Sequence, residues 1–312
     1  MRLQKSWYAA PSRLLTCLSA PYSFIHVFLF IICAALKSLR LQQISCQLVV
    51  VTNVTVGGNG KTPTVLWLAQ YLSQLGRQVA VISSGYKSQL NGTVLVSPGD
   101  DSKKVGDEAL MLAKRLPGVD VYVGDHSRRV IEYVSGTQQY DVCISDGGFT
   151  ELASLASTIL WLDDSLAQGN GCVCPFGPLK YPAFFELFGI KLTKNTQSKT
   201  QPGFMYDDPY ITDASDKKVS LPSGNIHLMT AVAKPEQVRA TLRQCGVIEF
   251  TEEAFMDHAH FELPAASEGR YLVITEKDWA RLRFIKRSDL RILRFDYQMN
   301  ASGKNLLASL FE

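Results

Sequence analysis

The 312-residue chain lacks a strong charge of either sign. Its 32 Lys and Arg stand against 29 Asp and Glu, for a net charge of +3. That leaves no electrostatic footprint for gripping nucleic acid, and no nucleic-acid partner is expected. It also lacks a cysteine framework. The seven cysteines are scattered, and the closest pair, Cys172-Val173-Cys174, has no second pair with which to hold zinc. They read as reduced thiols of a cytosolic protein. No internal repeat is visible. The main apolar run, Tyr22 to Leu36, has fifteen residues, short of the roughly 20 a spanning helix needs. Apolar material is otherwise ample: at 46% hydrophobic and 20% charged, a chain of this length predicts about two domains.

The short run, YSFIHVFLFIICAAL, is interrupted only by Ser23 and His26. Arg2, Lys5 and Arg13 precede it, and Lys37 and Arg40 follow. No small-residue cleavage site follows, which argues against an exported leader. A buried core helix is the structural alternative. We expect residues 1–43 to form a membrane-associated segment that dips into one leaflet or just spans. Lys37 and Arg40 would then lie at an anionic surface, with the body of the protein on the cytoplasmic face.

What the chain does have is a glycine turn in an informative place. Leu48-Val49-Val50-Val51 reads as a buried strand. Thr64 to Gln74 reads as a helix with Val65, Leu68, Ala69, Leu72 and Leu75 on one face. Between them stands Thr55-Val56-Gly57-Gly58-Asn59-Gly60-Lys61-Thr62-Pro63. Strand, glycine turn, Gly-Lys-Thr and helix form the context of a phosphate-binding loop. Backbone N–H groups of Gly57, Gly58, Asn59 and Gly60 would wrap a polyphosphate at a helix N-terminus. Lys61 would reach the terminal phosphates, and the Thr62 hydroxyl would hold Mg²⁺. Thr55 stands where the strict motif has its first glycine. The loop implies a nucleoside triphosphate and leaves the acceptor open.

Downstream, strands are predicted at 78–83, 93–97, 119–123, 141–145 and 158–162, alternating with helices at 107–115 and 127–134. This alternation argues a P-loop NTPase-type α/β fold, a mostly parallel sheet covered by helices, over 44–190. Residues 191–224 are polar and read as a linker. A second, smaller α/β domain is expected over 225–312.

Several polar residues are placed for chemistry. Asp146 ends an apolar strand, where a Mg²⁺-binding acid belongs; a strand-end turn residue is the plain alternative. Gly106-Asp107-Glu108 sets two carboxylates at a helix start, either a general base and a further metal-side group or simple helix-start acidity. The segment from Gly169-Asn170-Gly171 to Gly177-Pro178-Leu179-Lys180 reads as a loop lining a cleft, with Asn170 and Lys180 on the side of an anionic substrate. In Asp257-His258-Ala259-His260, a histidine pairing with a carboxylate across a cleft is favoured over a metal pair. Thr275-Glu276-Lys277-Asp278 is accounted for by helix capping.

Taken in order, these segments resemble the tetraacyldisaccharide 4′-kinases of lipid A synthesis. The resemblance rests on Asn53 to Pro63, Ser83-Ser84-Gly85-Tyr86, Gly106-Asp107-Glu108, Ser145-Asp146, Gly169-Asn170-Gly171, Gly177-Pro178-Leu179, Asp257-His258 and Thr275-Glu276-Lys277-Asp278. It implies a Mg²⁺-dependent kinase on the cytoplasmic face of the bacterial inner membrane. ATP would phosphorylate the 4′-hydroxyl of a tetraacylated glucosamine disaccharide 1-phosphate, giving lipid IVA. It further implies Asp107 as base assisted by His258, Lys61 and Thr62 at phosphate and metal, Tyr86 near the nucleotide and Arg128 near a basic site position. Asp146 and Glu108 complete the metal-side candidates. The chain departs from the family pattern at Gly147 (for aspartate), Thr150 (for glutamine), Ser84 and Lys180 (for arginine) and Ala259 (for histidine). Two rival readings use the same residues: a non-catalytic relative that binds ATP or lipid, and a P-loop GTPase or ATPase maturation factor. The latter lacks an Asn-Lys-x-Asp motif at the right spacing.

Overall fold

The computed structural model describes residues 44–57, 60–85, 90–137, 139–163, 168–194, 201–220, 225–232, 234–256, 259–266 and 269–311, with Trp7 and 19–25, 27–29 and 31–32 before them. The first unit runs β1 (Gln47–Thr52), α1 (Lys61–Gln74), β2 (Val79–Ser84), β3 (Thr93–Leu95), α2 (Ser102–Val105), α3 (Asp107–Arg115), β4 (Asp120–Gly124), α4 (Ser127–Thr137), β5 (Val142–Asp146), α5 (Phe149–Leu152) and β6 (Thr158–Asp163). A 3₁₀ turn at Ala183–Leu187 leads to β7 (Ile190–Lys194), β8 (Gly203–Tyr206) and β9 (Tyr210–Asp213). The second unit follows with β10 (Asn225–Thr230), α6 (Pro235–Gln244), β11 (Thr251–Ala254), β12 (Arg270–Thr275), α7 (Glu276–Arg281) and β13 (Leu290–Arg294). The chain closes with β14 (Tyr297–Met299) and α8 (Ala301–Phe311).

Nine strands form one sheet in the order β14-β8-β7-β6-β1-β5-β2-β4-β3, parallel except for the outermost pair at each edge. β1 is a continuous buried run because both faces of this sheet are covered. Val49 and Val51 join Val65, Leu68 and Leu72 of α1 and Leu110 and Leu112 of α3. Leu48 and Val50 point the other way, into Val130, Ile131 and Val134 of α4 with Phe149 and Leu152 of α5. Successive side chains point to opposite faces, so an unbroken apolar run is the mark of a parallel strand buried on both. The second sheet has the order β11-β10-β12-β13-β9, with only β9 antiparallel. Its core is built around Trp279, Leu272, Ile274 and Ile292.

Two expectations are corrected. Residues 191–224 are not a linker: β8 and β7 extend the large sheet, and β9 closes the edge of the small one. The C-terminal residues do not all belong to the second unit, because β14 pairs with β8 and α8 places Leu307 and Phe311 in the core of the first. Among the described residues no helix is long and apolar enough to cross a membrane. The described residues at 19–32 are helical and carry exposed Phe24, Ile25, Phe28, Leu29 and Ile31.

Candidate active site

β1 and β5 are register-paired so that Val51 lies opposite Asp146, and β2 brings Ser83 to the other side of the same aspartate. The glycine turn and Asp146 therefore emerge together at the carboxyl edge of the sheet, where open α/β sheets bind ligands. The turn is built on backbone that only glycine adopts freely. Gly57 and Gly60 have φ of 104° and 84°. A Cβ at Gly60 would also lie 2.6 Å from the Tyr297 hydroxyl. α1 begins at Lys61, and the Thr64 N–H and hydroxyl both donate to the Gly60 carbonyl, at 3.1 and 2.8 Å. Gly58, Asn59, Tyr86 and His258 lie outside the described residues.

Asp146 is buried, and Thr62 is in hydrogen-bonding contact with it. Its Oδ2 is enclosed with no hydrogen-bond partner among the described residues. Burial and the neighbouring Glu108 charge push its pKa up to about 6, against the opposing pull of Lys61, Thr62 and Lys277. An enclosed carboxylate oxygen without a donor is the kind of vacancy a cation satisfies. Among the described residues no group of three or more His, Cys, Asp or Glu side chains is assembled as a metal cage. The enclosed Asp146 oxygen with Thr62 beside it fits Mg²⁺, which takes one or two carboxylates and completes its shell with water and substrate phosphates.

Lys180 comes off the glycine- and proline-rich loop. Its Nζ donates to Asn53 Oδ1 at 3.1 Å, and Asn53 is fixed by its own bond to the Thr55 carbonyl at 2.8 Å. Burial and the Lys61 charge press the Lys180 pKa down to about 8, partly opposed by Asp146. The loop is thus folded back onto the phosphate turn: Val56 N–H donates to Pro178 O, and Lys180 N–H to Val54 O. Asn170, expected on the substrate side, is held inside this loop. Its Nδ2 donates to Phe176 O and its Oδ1 accepts from Cys172 N–H. Arg128, at the start of α4, bonds Glu132 through Nε at 3.0 Å and Glu151 through its backbone N–H.

The first turn of α3 meets α7 of the second unit. Arg281 donates from Nε to Asp107 Oδ2 at 2.8 Å, and both side chains are nearly buried. The same guanidinium bonds Asp278 Oδ1 and the Ala231 carbonyl. Asp278, wholly buried, also accepts from Thr230 and Thr275 hydroxyls and from Ala231 N–H. Lys277 reaches across to Glu108. Burial lowers the Lys277 pKa, but the Glu108 partner outweighs it and the net shift is upward. Thr275 caps α7 as expected, accepting from Asp278 N–H. The rest of Thr275-Glu276-Lys277-Asp278 does far more than cap: Glu276 pairs with Arg115 at 2.9 Å, and Lys277 and Asp278 organise the two acids of α3. Lys277, Arg281 and Asn53 were not singled out as site residues from the sequence. Lys277 and Asn53 stood only within the motifs that carry the family resemblance, and nothing in the sequence pointed to Arg281.

Lys61, Thr62, Asp146 and Lys180 thus form one electrostatically coupled group, with Asp107 and Glu108 beside it. The sequence model of tetraacyldisaccharide-1-P 4′-kinase, LpxK, matches residues 11–312. The chain belongs to that family. The tetraacyldisaccharide 4′-kinase of Shewanella pealeana is 30% identical, across 99% of this chain and 97% of its own length. That of Haemophilus influenzae is 31% identical over 74% of this chain and 72% of its own length. That of a Bradyrhizobium species is 32% identical over 83% and 81%. The crystal structure of LpxK from Aquifex aeolicus in complex with ATP shares the fold, with a TM-score of 0.76 at 21% identity, covering 96% of this chain and 100% of that one. Within a tetraacyldisaccharide 4′-kinase, Gly147 is the departure with the clearest structural sign. Its φ is 90°, and nothing lies within 4 Å of where a Cβ would be. The space for a side chain exists, while the backbone disfavours one.

Proposed function

We propose that this chain is a tetraacyldisaccharide 4′-kinase that transfers the γ-phosphate of ATP to the 4′-hydroxyl of a tetraacylated glucosamine disaccharide 1-phosphate. The observation that carries the reading is the convergence of Lys61, Thr62, Asp146 and Lys180 on the glycine turn in a chain of this family. The turn and the start of α1 bind the triphosphate through backbone N–H groups. Lys61 and Lys180 bring positive charge to the phosphates as negative charge moves between oxygens. Asp146 and Thr62, with Glu108 alongside, are the residues to hold Mg²⁺, which would neutralise phosphate charge when bound.

Asp107 takes the role of base toward the sugar hydroxyl. Its bond to Arg281 fixes the carboxylate's direction, and the guanidinium is anchored at two other points, the Ala231 carbonyl and Asp278. His258 is the proposed assistant to this base, Tyr86 the aromatic neighbour of the nucleotide, and Arg128 a basic group on the acceptor side. An acylated acceptor calls for a catalytic body held at a lipid surface. The exposed apolar residues at 19–32 support an N-terminal anchor at the cytoplasmic face of the inner membrane.

The test is phosphate transfer in detergent micelles with Mg-ATP and tetraacyldisaccharide 1-phosphate. A bis-phosphorylated lipid is expected, with Asp107→Ala reducing turnover by about 10²–10⁴ as for loss of a general base. Lys61→Ala should lose the product too. Absence of transfer by folded protein that still binds ATP would favour the non-catalytic alternative, which Gly147 motivates.

A further inference from the structure

The 3₁₀ turn at Ala183–Leu187 has its polarity inside out. Its one charged residue, Glu186, is buried and points inward, where Lys191 Nζ meets it at 3.1 Å and Asp163 at 3.0 Å. Its apolar residues face water: Phe184 is 45%, Leu187 81% and Phe188 63% exposed. Phe185 alone is inserted, against Phe149 and into the core beneath α4 and α5. A turn at a water-facing surface gains by the opposite arrangement, so the exposed trio marks a surface built to meet something apolar.

Its position says what. The turn begins three residues after Lys180, the lysine that is coupled to Lys61 and Asp146 of the phosphate site. The N-terminal helical residues pack on the same body of core: Val27 rests on the cluster that holds Phe185, Val173 and Leu179. Tyr22 meets Phe176 edge-to-face at 5.8 Å, and Ser19 bonds Cys172. The loop that delivers Lys180 thus lies between two exposed apolar surfaces, the 19–32 helix residues and the 183–188 turn. A single extended partner, apolar in depth and lying beside the acceptor's head group, would serve both.

We propose that the Ala183–Phe188 turn is a second membrane-insertion element, which sinks Phe184, Leu187 and Phe188 into the acyl layer of a bilayer beside the N-terminal segment. It rests on the reading of a lipid-surface enzyme given above. Two points of contact fix the tilt of the body and hold Lys180 and the glycine turn at head-group height. One amphipathic helix alone would leave the body free to swing.

The experiment uses the full chain and vesicles of phosphatidylethanolamine and phosphatidylglycerol without acceptor lipid. A Leu187→Trp variant places a reporter at a site exposed enough to leave the fold unchanged. When vesicles carry lipids brominated along the acyl chain, the added emission should shift to the blue and be quenched. The Phe184→Ser/Leu187→Ser/Phe188→Ser variant should partition onto vesicles about tenfold more weakly, a loss of about 1.4 kcal/mol, while phosphate transfer in micelles persists. An unquenched reporter on vesicle-bound protein overturns the proposal, as does unchanged partitioning of the triple variant. A blue shift that depends on protein concentration without vesicles also overturns it, in favour of a contact between copies. Failure of the kinase reading would appear separately, as absent transfer in micelles with quenching intact.

Discussion

At the scale of single residues, Asp146 and Lys180 are perturbed in opposite senses by the same enclosure. Asp146 titrates at about 6 in the folded chain, above its ordinary value, so folding favours its protonated form. That contribution to stability is fully present below about pH 4 and is lost as pH rises through 6. In metal-free protein, Asp146→Asn should therefore be the more stable form at pH 7.5, by about 1–3 kcal/mol, with the difference closing below pH 4. Chemical denaturation in EDTA at several pH values measures it, and Mg-ATP should narrow the gap by binding the ionised form. Lys180 titrates at about 8, so its charge is lost as pH rises through 8. kcat/KM, which reports the free enzyme, should fall about tenfold by pH 9 on this account. Lys180→Arg keeps a charge at every accessible pH. That alkaline fall should vanish in the variant; an unchanged limb would mean that another group sets it.

At the scale of elements, the contact of α3 with α7 joins the proposed base to the second unit. Arg281 is the hub, because Asp107 and Asp278 are both buried and both depend on it. Arg281→Met would leave two buried carboxylates short of a partner, and breaking a buried pair costs about 3–5 kcal/mol. The double variant Asp107→Asn/Arg281→Met should recover part of that loss, since a neutral amide tolerates burial better, and a double-mutant cycle on urea midpoints reads the coupling. This contact shows where sequence reading stops. The helix at 107–115 and the strand leading to Asp146 were legible, because each carries a full apolar period and a boundary residue. The Asp107–Arg281 pair was not, since 174 positions separate its members and no local pattern selects one arginine among many. β7, β8 and β9 escaped for a different reason. They lie toward or at sheet edges, where one side faces water, so their residues are too polar to stand out from a linker. The glycine turn, by contrast, was legible because its chemistry is local, with loop, lysine and threonine contiguous.

At the scale of the whole molecule, the chain crosses between its two sheets more than once. It leaves the large sheet after β8, builds the small sheet from β9 to β13, and returns through β14 and α8. The return is substantial: Leu307 and Phe311 are buried with the helices over β1, and Arg77 bonds the Phe311 carbonyl. Tyr297 of β14 stands against Gly60 of the phosphate turn. The last residues therefore support the nucleotide end of the protein, although they follow the second unit in sequence. Truncation after Phe295 would remove Tyr297, Met299, Leu307 and Phe311 from one core, and each such side chain is worth about 2–5 kcal/mol. Their loss should exceed the roughly 5–15 kcal/mol by which a domain is stable, leaving the first unit unfolded. A chain of two separable domains would instead keep ATP binding after this truncation, with damage confined to the small sheet. The return of β14 to pair with β8, after the small sheet is complete, argues that the intact protein unfolds as one body. A urea titration followed by ATP binding and by Trp279 fluorescence, with the other three tryptophans replaced by Phe, should give one midpoint; two midpoints would show the small sheet surviving independently.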